Sequence, residues 1–170
     1  GNNVGFRFAK QELKADYIIL MNNDVIIESE NICELIEADF QKEKFAVLGP
    51  RIRTSVGQNQ NPLRSGLLKG FRLGLTILYL WIDWFLTFLF ISPVLHKLFN
   101  SFIPKSERDV EPLNNVELHG SFLVFSPIYI EWFDGLDDRT FLYCEEEFLF
   151  ARCCFNKLKT RFNPQIRIIH

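Results

Sequence analysis

Residues 17–27 read YIILMNNDVII, an oily run broken by Asn22, Asn23 and Asp24 before a second oily run begins. Polar side chains inside a buried element cost free energy unless something pairs with them. The chain therefore either surfaces here in a polar turn, which Asn and Asp favour, or presents three side chains to a ligand. Residues 17–21 carry no charge and are bounded by Asp16 and Asn22. Such a run predicts a strand buried on both faces, as in a parallel sheet covered by helices. Open α/β sheets bind ligands at the carboxyl ends of their strands. An Asp placed there can hold a divalent cation through oxygen, leaving other coordination positions to substrate phosphates.

Outward from this stretch, helix and strand signals alternate. Residues 4–14 have helix-forming composition, with Val4, Phe8 and Leu13 on one side. Residues 25–27 are a second short β-like run. Asn31 with Glu34 has the spacing of a capping box ahead of a helix over 32–41. Residues 45–48 read as the next strand, closed by Gly49 and Pro50. This alternation predicts a layered α/β fold. Residues 51–65 and 104–115 read as polar loops. Beyond them, 122–125 reads as a strand, 127–133 as a short helix and 145–157 as a longer one, with β-like runs at 160–162 and 166–169.

The bulk composition narrows the class. A chain of 170 residues with 48% apolar and 24% charged residues is the length of one folded domain, and a net charge of −2 gives no nucleic-acid footprint. Cys33, Cys144, Cys153 and Cys154 show no CxxC spacing and read as reduced thiols of a cytosolic protein. The chain opens on Gly1 without a signal-peptide pattern and is read as a piece of a longer protein.

Residues 66–103 are different in kind. Residues 73–95 hold one formal charge, Asp83. Drawn as a helix, residues 65–87 place Ser65, Lys69, Arg72, Thr76, Tyr79, Asp83 and Thr87 on one narrow stripe of an otherwise apolar surface. That pattern fits a helix lying in a membrane interface, with Trp81 and Trp84 suited to headgroup depth. A helical insertion buried in the protein or in a homo-oligomer, and a transmembrane span, are the alternatives.

The acids Glu145, Glu146 and Glu147 open an apolar-periodic helix, where the dipole alone favours them. A carboxylate held by a helix start beside a cleft is also a natural general base. His170 follows the run 166–169. Taken together, GNNVGFRFAKQELKADYIILMNNDV resembles the central stretch of family 2 glycosyltransferases, in which a G-N-N segment and a helix precede a strand ending in N-N-D. The tail from LHGSFLVF through FDGLDDRTFLYCEEE to PQIRIIH is similar to the later half of the same family. The resemblance covers residues 1–50 and 115–170, and its nearest relatives are bacterial rhamnosyltransferase-like enzymes that extend surface polysaccharides.

The resemblance implies a partial GT-A fold, a mostly parallel sheet flanked by helices, over residues 1–170, and the apolar pattern of 66–103 adds a hydrophobic helical insertion at the membrane interface. It implies inverting transfer from a nucleotide-sugar donor to a glycan or lipid-linked glycan acceptor, assisted by Mg²⁺ or Mn²⁺ at the cytoplasmic face of a membrane. Asp24 and His170 would hold the metal. Asn2, Asn3, Asn22, Asn23 and Asp24 would line the sugar nucleotide. Glu145 and Glu146 match the acidic pair that supplies the base, with Glu146 preferred. His119, Gly120, Ser121 and Asp137 would face the acceptor. Two positions depart from the family pattern: Glu146 stands where Asp is common, and Phe148 where many relatives have a second acid. The rival expectations are a non-catalytic membrane-associated protein on a degenerate transferase scaffold, and a glycoside hydrolase with paired carboxylates.

Overall fold

The run FLVF forms the strand around which the molecule is arranged, β7 (Phe122–Phe125), with all four side chains buried. Its alternate residues feed opposite faces, as strand geometry requires. Leu123 and Phe125 enter one core with Phe6, Ile18, Tyr129, Leu149 and Phe162. Phe122 and Val124 enter another with Ile36, Phe40, Phe45, Ile52 and Ile168. The computed structural model describes residues 1–65, 78, 81, 85, 111–138 and 145–170.

In chain order the described elements begin with helix α1 (Asn2–Gln11), strands β1 (Ile18–Met21) and β2 (Ile26–Ile27), helix α2 (Ile32–Lys42) and strand β3 (Val47–Arg53). Short strands β4 (Arg64–Ser65), β5 (Leu113–Asn114) and β6 (Val116–Glu117) come before β7. Helices α3 (Pro127–Trp132) and α4 (Glu145–Phe155) and strand β8 (Thr160–Ile169) complete the order. The main sheet runs β1-β7-β3-β8-β2, with β5 also on β8, while β4 and β6 form a separate pair.

The fold is mixed α/β, and the expectation of a mostly parallel sheet needs correcting. β3 and β8 are parallel, but β1–β7, β3–β7, β2–β8 and β5–β8 are all antiparallel. The cause is β7, which slots between β1 and β3. Those two strands point the same way but never touch, so a shared direction yields no parallel ladder between them.

Four local expectations also change. β1 is not buried on both faces: Ile18 is buried, while Ile19 and Met21, which alternation puts on the other face, are exposed. Asn31 precedes α2 in the left-handed conformation, φ 54°, and its side chain makes no cap hydrogen bond, so the capping box is not formed. β3 passes through Gly49 and Pro50 instead of ending there. Pro50 has no N–H to give, and the β3–β8 register shifts between Pro50 and Arg51 before pairing resumes. The opposite side of this irregularity lies in β8, where two expected runs are one strand whose Asn163 Oδ1 accepts the Gln165 N–H at 2.9 Å.

One buried ion pair ties α2 to the sheet. Arg161 on β8 donates through Nε and Nη2 to both oxygens of Asp39, each at 2.7 Å, and through Nη1 to Asn114 Oδ1 at 3.0 Å. The unit to which all of this belongs comprises Gly1–Gly66 and Asp109–His170, and Leu67–Arg108 form a second unit. The apolar insertion expected over 66–103 lies outside the described residues except at Leu78, Trp81 and Phe85, which are helical and exposed. Among the described residues no helix is long and apolar enough to cross a membrane.

Candidate functional site

Strand direction gathers the site. β1 and β3 are both antiparallel to β7, and β8 is parallel to β3. The carboxyl ends of β1, β3 and β8 therefore share one edge of the sheet, and the amino end of β7 arrives at that same edge. Asn22, Asn23 and Asp24 follow β1, His170 follows β8, and His119, Gly120 and Ser121 precede β7.

At this edge the polar break after β1 is a turn, with the Val25 N–H directed to Asn22 O at 3.4 Å. It is also tied into the site. The Asn22 N–H donates to Ser121 O at 2.9 Å, and the His170 N–H donates to Arg53 O at 2.9 Å. His170 Nδ1 lies 3.2 Å from Gln60 Oε1, an acceptor, so Nδ1 carries the proton and Nε2 the lone pair. Nε2 faces Asn22 Nδ2 at 3.2 Å and Asp24 Oδ1 at 3.5 Å. The Asp24 side chain is 69% exposed and that of His170 is 19% exposed. Asn23 is exposed in the turn.

His119 is held by its backbone and by its ring. Its N–H donates to Asn61 Oδ1 at 3.1 Å, while Asn61 Nδ2 donates to Pro50 O at 2.7 Å. Ring Nδ1 accepts the Ser121 N–H at 3.1 Å and lies 3.0 Å from Ser121 Oγ. Burial pushes this imidazole below its ordinary value; the Glu146 carboxylate opposes the shift and His170 adds to it. The His119 ring is therefore neutral near pH 7, and it meets the His170 ring edge-on with centroids 5.7 Å apart.

The acids lie next to this group. Glu146, in the first turn of α4, accepts the Gly120 N–H on Oε1 at 3.1 Å. A cavity of about 30 Å³ opens beside it, lined by Asn2, Leu20, Gly120, Leu136, Glu145 and Glu146 among others. A wider cleft of about 350 Å³ adjoins Asn2, Asn3, Leu136, Asp137, Asp138 and Glu145. The structure thus gathers Asn22, Asp24, His119, Ser121 and His170 in one group, and Asn2, Gly120, Glu145 and Glu146 in the next, joined through the chain at 119–121.

Two expected site residues are engaged with protein instead. Asn3 bonds both backbone groups of Leu136: Nδ2 donates to the carbonyl at 3.0 Å and Oδ1 accepts the N–H at 2.8 Å. The Asp137 carboxylate is 9% exposed and pairs with Arg152 at 3.1 Å. Conversely, Gln60, Asn61, Leu136 and Arg152 shape the site and carried no signal in the sequence. Gln60 and Asn61 sat inside a stretch whose composition reads only as a polar loop.

The donor set at Asp24 and His170 fits a divalent cation. A ring nitrogen and a carboxylate oxygen 3.5 Å apart are close enough to share one cation, in place of the Asn22 amide that Nε2 now faces at 3.2 Å. The Nδ1–H of His170 pointing to Gln60 is the orientation expected of a ligating imidazole. Among the described residues no three His, Cys, Asp or Glu side chains gather to hold a metal by themselves. Two protein donors suit a hard cation that takes further oxygens from water and substrate phosphates.

Comparison with known proteins gives one relative of this kind. A low-salt glycan biosynthesis hexosyltransferase, Agl10, of Haloferax volcanii is 29% identical over 149 residues, covering 86% of this chain and 39% of the relative. No family model matches the chain. No solved structure matches it. The chain spans about two fifths of the length of that hexosyltransferase, and the likeness supports a glycosyltransferase relationship.

Proposed function

We propose that the chain carries the acceptor-activating and metal-holding half of an inverting glycosyltransferase active site of the family 2, GT-A type. The observation that carries this reading is the Glu146 carboxylate, held at 3.1 Å by the Gly120 N–H beside a cavity. On the other side of residues 119–121 stands the Asp24–His170 pair. A base and a cation site on the two sides of one short segment suit attack of a sugar hydroxyl on a nucleotide-activated sugar. Glu146 takes the hydroxyl proton as the oxygen attacks the anomeric carbon. Asp24 and His170 would hold Mg²⁺ or Mn²⁺, whose positive charge would offset the charge developing on the leaving diphosphate. Neutral His119 adds no positive charge to the acceptor side and leaves its Nε2–H as a donor. Donor and acceptor are a nucleotide sugar and a glycan or lipid-linked glycan, in the synthesis of surface polysaccharide.

The test is a donor screen on the full-length protein with a metal titration, repeated on Asp24→Asn. The asparagine keeps the shape of the side chain and loses its charge. Turnover should fall at least ~100-fold, about 2.7 kcal/mol of transition-state stabilisation. A near-normal rate with unchanged metal dependence would remove Asp24 from the cation site.

The same proposal places the protein peripherally on the cytoplasmic membrane face through residues 66–103. Exposed apolar side chains at the helical positions Leu78, Trp81 and Phe85 support this. The full-length protein should bind anionic liposomes, and replacing Trp81 and Trp84 with Glu should release it. Salt alone should release it only in part, because buried apolar area outweighs Lys and Arg attraction. Full release by salt alone would show that charge, not the apolar helix, holds the protein there.

A further inference from the structure

In the segment that follows α3, every residue from 133 to 137 is braced by a hydrogen bond or an ion pair. Lys10 on α1 donates to Phe133 O at 3.2 Å and to Asp134 Oδ1 at 2.6 Å. Gly135 O accepts from Arg152 Nη1 at 2.9 Å and from Tyr129 OH at 3.0 Å. Both backbone groups of Leu136 go to the Asn3 amide, and Asp137 pairs with Arg152. Three helices thus grip one loop. Loops are normally the mobile parts of a domain, and residues 133–137 instead form a hydrogen-bonded wall. The grip leaves no slack at Gly135, whose φ is +136° and where an added Cβ would lie 2.5 Å from Asn3 Oδ1.

What the wall holds in place is Leu136. This residue borders both the 30 Å³ cavity beside Glu146 and the 350 Å³ cleft. Asn2 and Glu145 are the other residues common to the two. We infer that Leu136 is the septum an acceptor must pass to reach Glu146, and that Asn3 is the positioning residue that sets it. This rests on the transferase reading above and changes one part of it. The Asn3 amide spends one N–H and one lone pair on the two backbone groups of Leu136, which fixes its orientation, and on this inference its effect on transfer runs through Leu136 and not through the nucleotide. Both Asn2 and Asn3 border the cleft, and Asn2 is the member of the pair that also borders the cavity beside Glu146.

The closing experiment compares Asn3→Asp, Asn3→Leu, Gly135→Ala and Leu136→Ala in the full-length protein. Asp at position 3 keeps the accepting half of the clamp and sets a carboxylate against the Leu136 carbonyl. Leu removes both halves at similar volume. The probes are UDP-, GDP- and dTDP-hexoses as donors, with octyl glycosides as acceptors. Asn3→Asp, Asn3→Leu and Gly135→Ala should each raise the acceptor KM about tenfold while the donor KM stays within about twofold, because only acceptor binding depends on the wall. Leu136→Ala should admit bulkier octyl glycosides than the parent uses. Hydrogen exchange at the Leu136 amide gives a readout that needs no activity: it should quicken at least ~10-fold in Asn3→Leu, because the N–H loses its acceptor. A raised donor KM with an unchanged acceptor KM would overturn the inference and return Asn3 to the nucleotide. Unchanged exchange at Leu136 would overturn the clamp itself. If no donor is turned over by the parent protein, the transferase reading fails and the acceptor role with it, while the exchange result still decides the clamp.

Discussion

Glu146→Gln in the full-length protein should reduce sugar transfer by at least ~10³-fold, about 4 kcal/mol, while donor affinity stays within about twofold. The glutamine keeps a carbonyl oxygen that can still accept the Gly120 N–H, now made by Glu146 Oε1 at 3.1 Å. The substitution therefore removes the proton-accepting charge and leaves the contact that orients the side chain. A loss in kcat with intact donor binding is the signature of a group that acts on the acceptor in the transition state. Gly120→Ala should act in the same direction by another route, since a Cβ there would come 2.7 Å from Glu146 Oε1 and push the carboxylate aside. If Glu145→Gln is dead and Glu146→Gln active, the base is the neighbouring acid, which borders both cavities. If both variants transfer sugar at the parent rate, the paired acids are only the dipole-favoured start of a helix.

Asp39→Ala should destabilise the unit by about 3–5 kcal/mol, the range expected when one partner of a buried ion pair is removed and the other stays. Asp39 and Arg161 are 5% and 8% exposed, and two hydrogen bonds of 2.7 Å join them. The alanine leaves a guanidinium under α2 with the Asn114 hydrogen bond and the more distant Glu43 carboxylate. The readout is the urea midpoint of unfolding at pH 7, with the slope checked for constancy. A double variant, Asp39→Leu with Arg161→Met, should recover most of the loss, because two apolar side chains of similar volume avoid the desolvation that the ion pair has to offset. A single-variant loss below about 1 kcal/mol would mean that Arg161 reaches solvent or another acceptor when its partner is gone. The same pair bears on the site: it docks α2 on β8, whose end carries His170.

Much of this was legible in the residues themselves. Where short-range chemistry decides, the sequence alone determined the element: Ile18–Met21 as a strand ended by the Asn22 turn, Phe122–Phe125 as a strand, and Glu145 as the start of a helix. Side-chain period, turn-forming residues and acids at a helix start act within a few residues, so they are written in the order of the chain. Asp24, Glu146 and His170 were marked as candidates by the family resemblance, since a polar turn, acids at a helix start and a lone His each have an ordinary local explanation.

Only the tertiary structure decided which strands touch. The antiparallel insertion of β7 between β1 and β3 is a long-range choice that no local period encodes, and it turned an expected parallel sheet into a mostly antiparallel one. That same insertion brings residues 119–121 to the edge where Asp24 and His170 meet. The capping box at Asn31 failed, and the strand through Pro50 persisted, because packing and sheet pairing outweigh a local preference of about 1 kcal/mol. Asn3, Gln60, Asn61 and Arg152 were unreadable as supports because each one's partner lies in another part of the chain. An amide or guanidinium becomes a positioning group only when folding brings a backbone carbonyl or a side chain within about 3 Å of it.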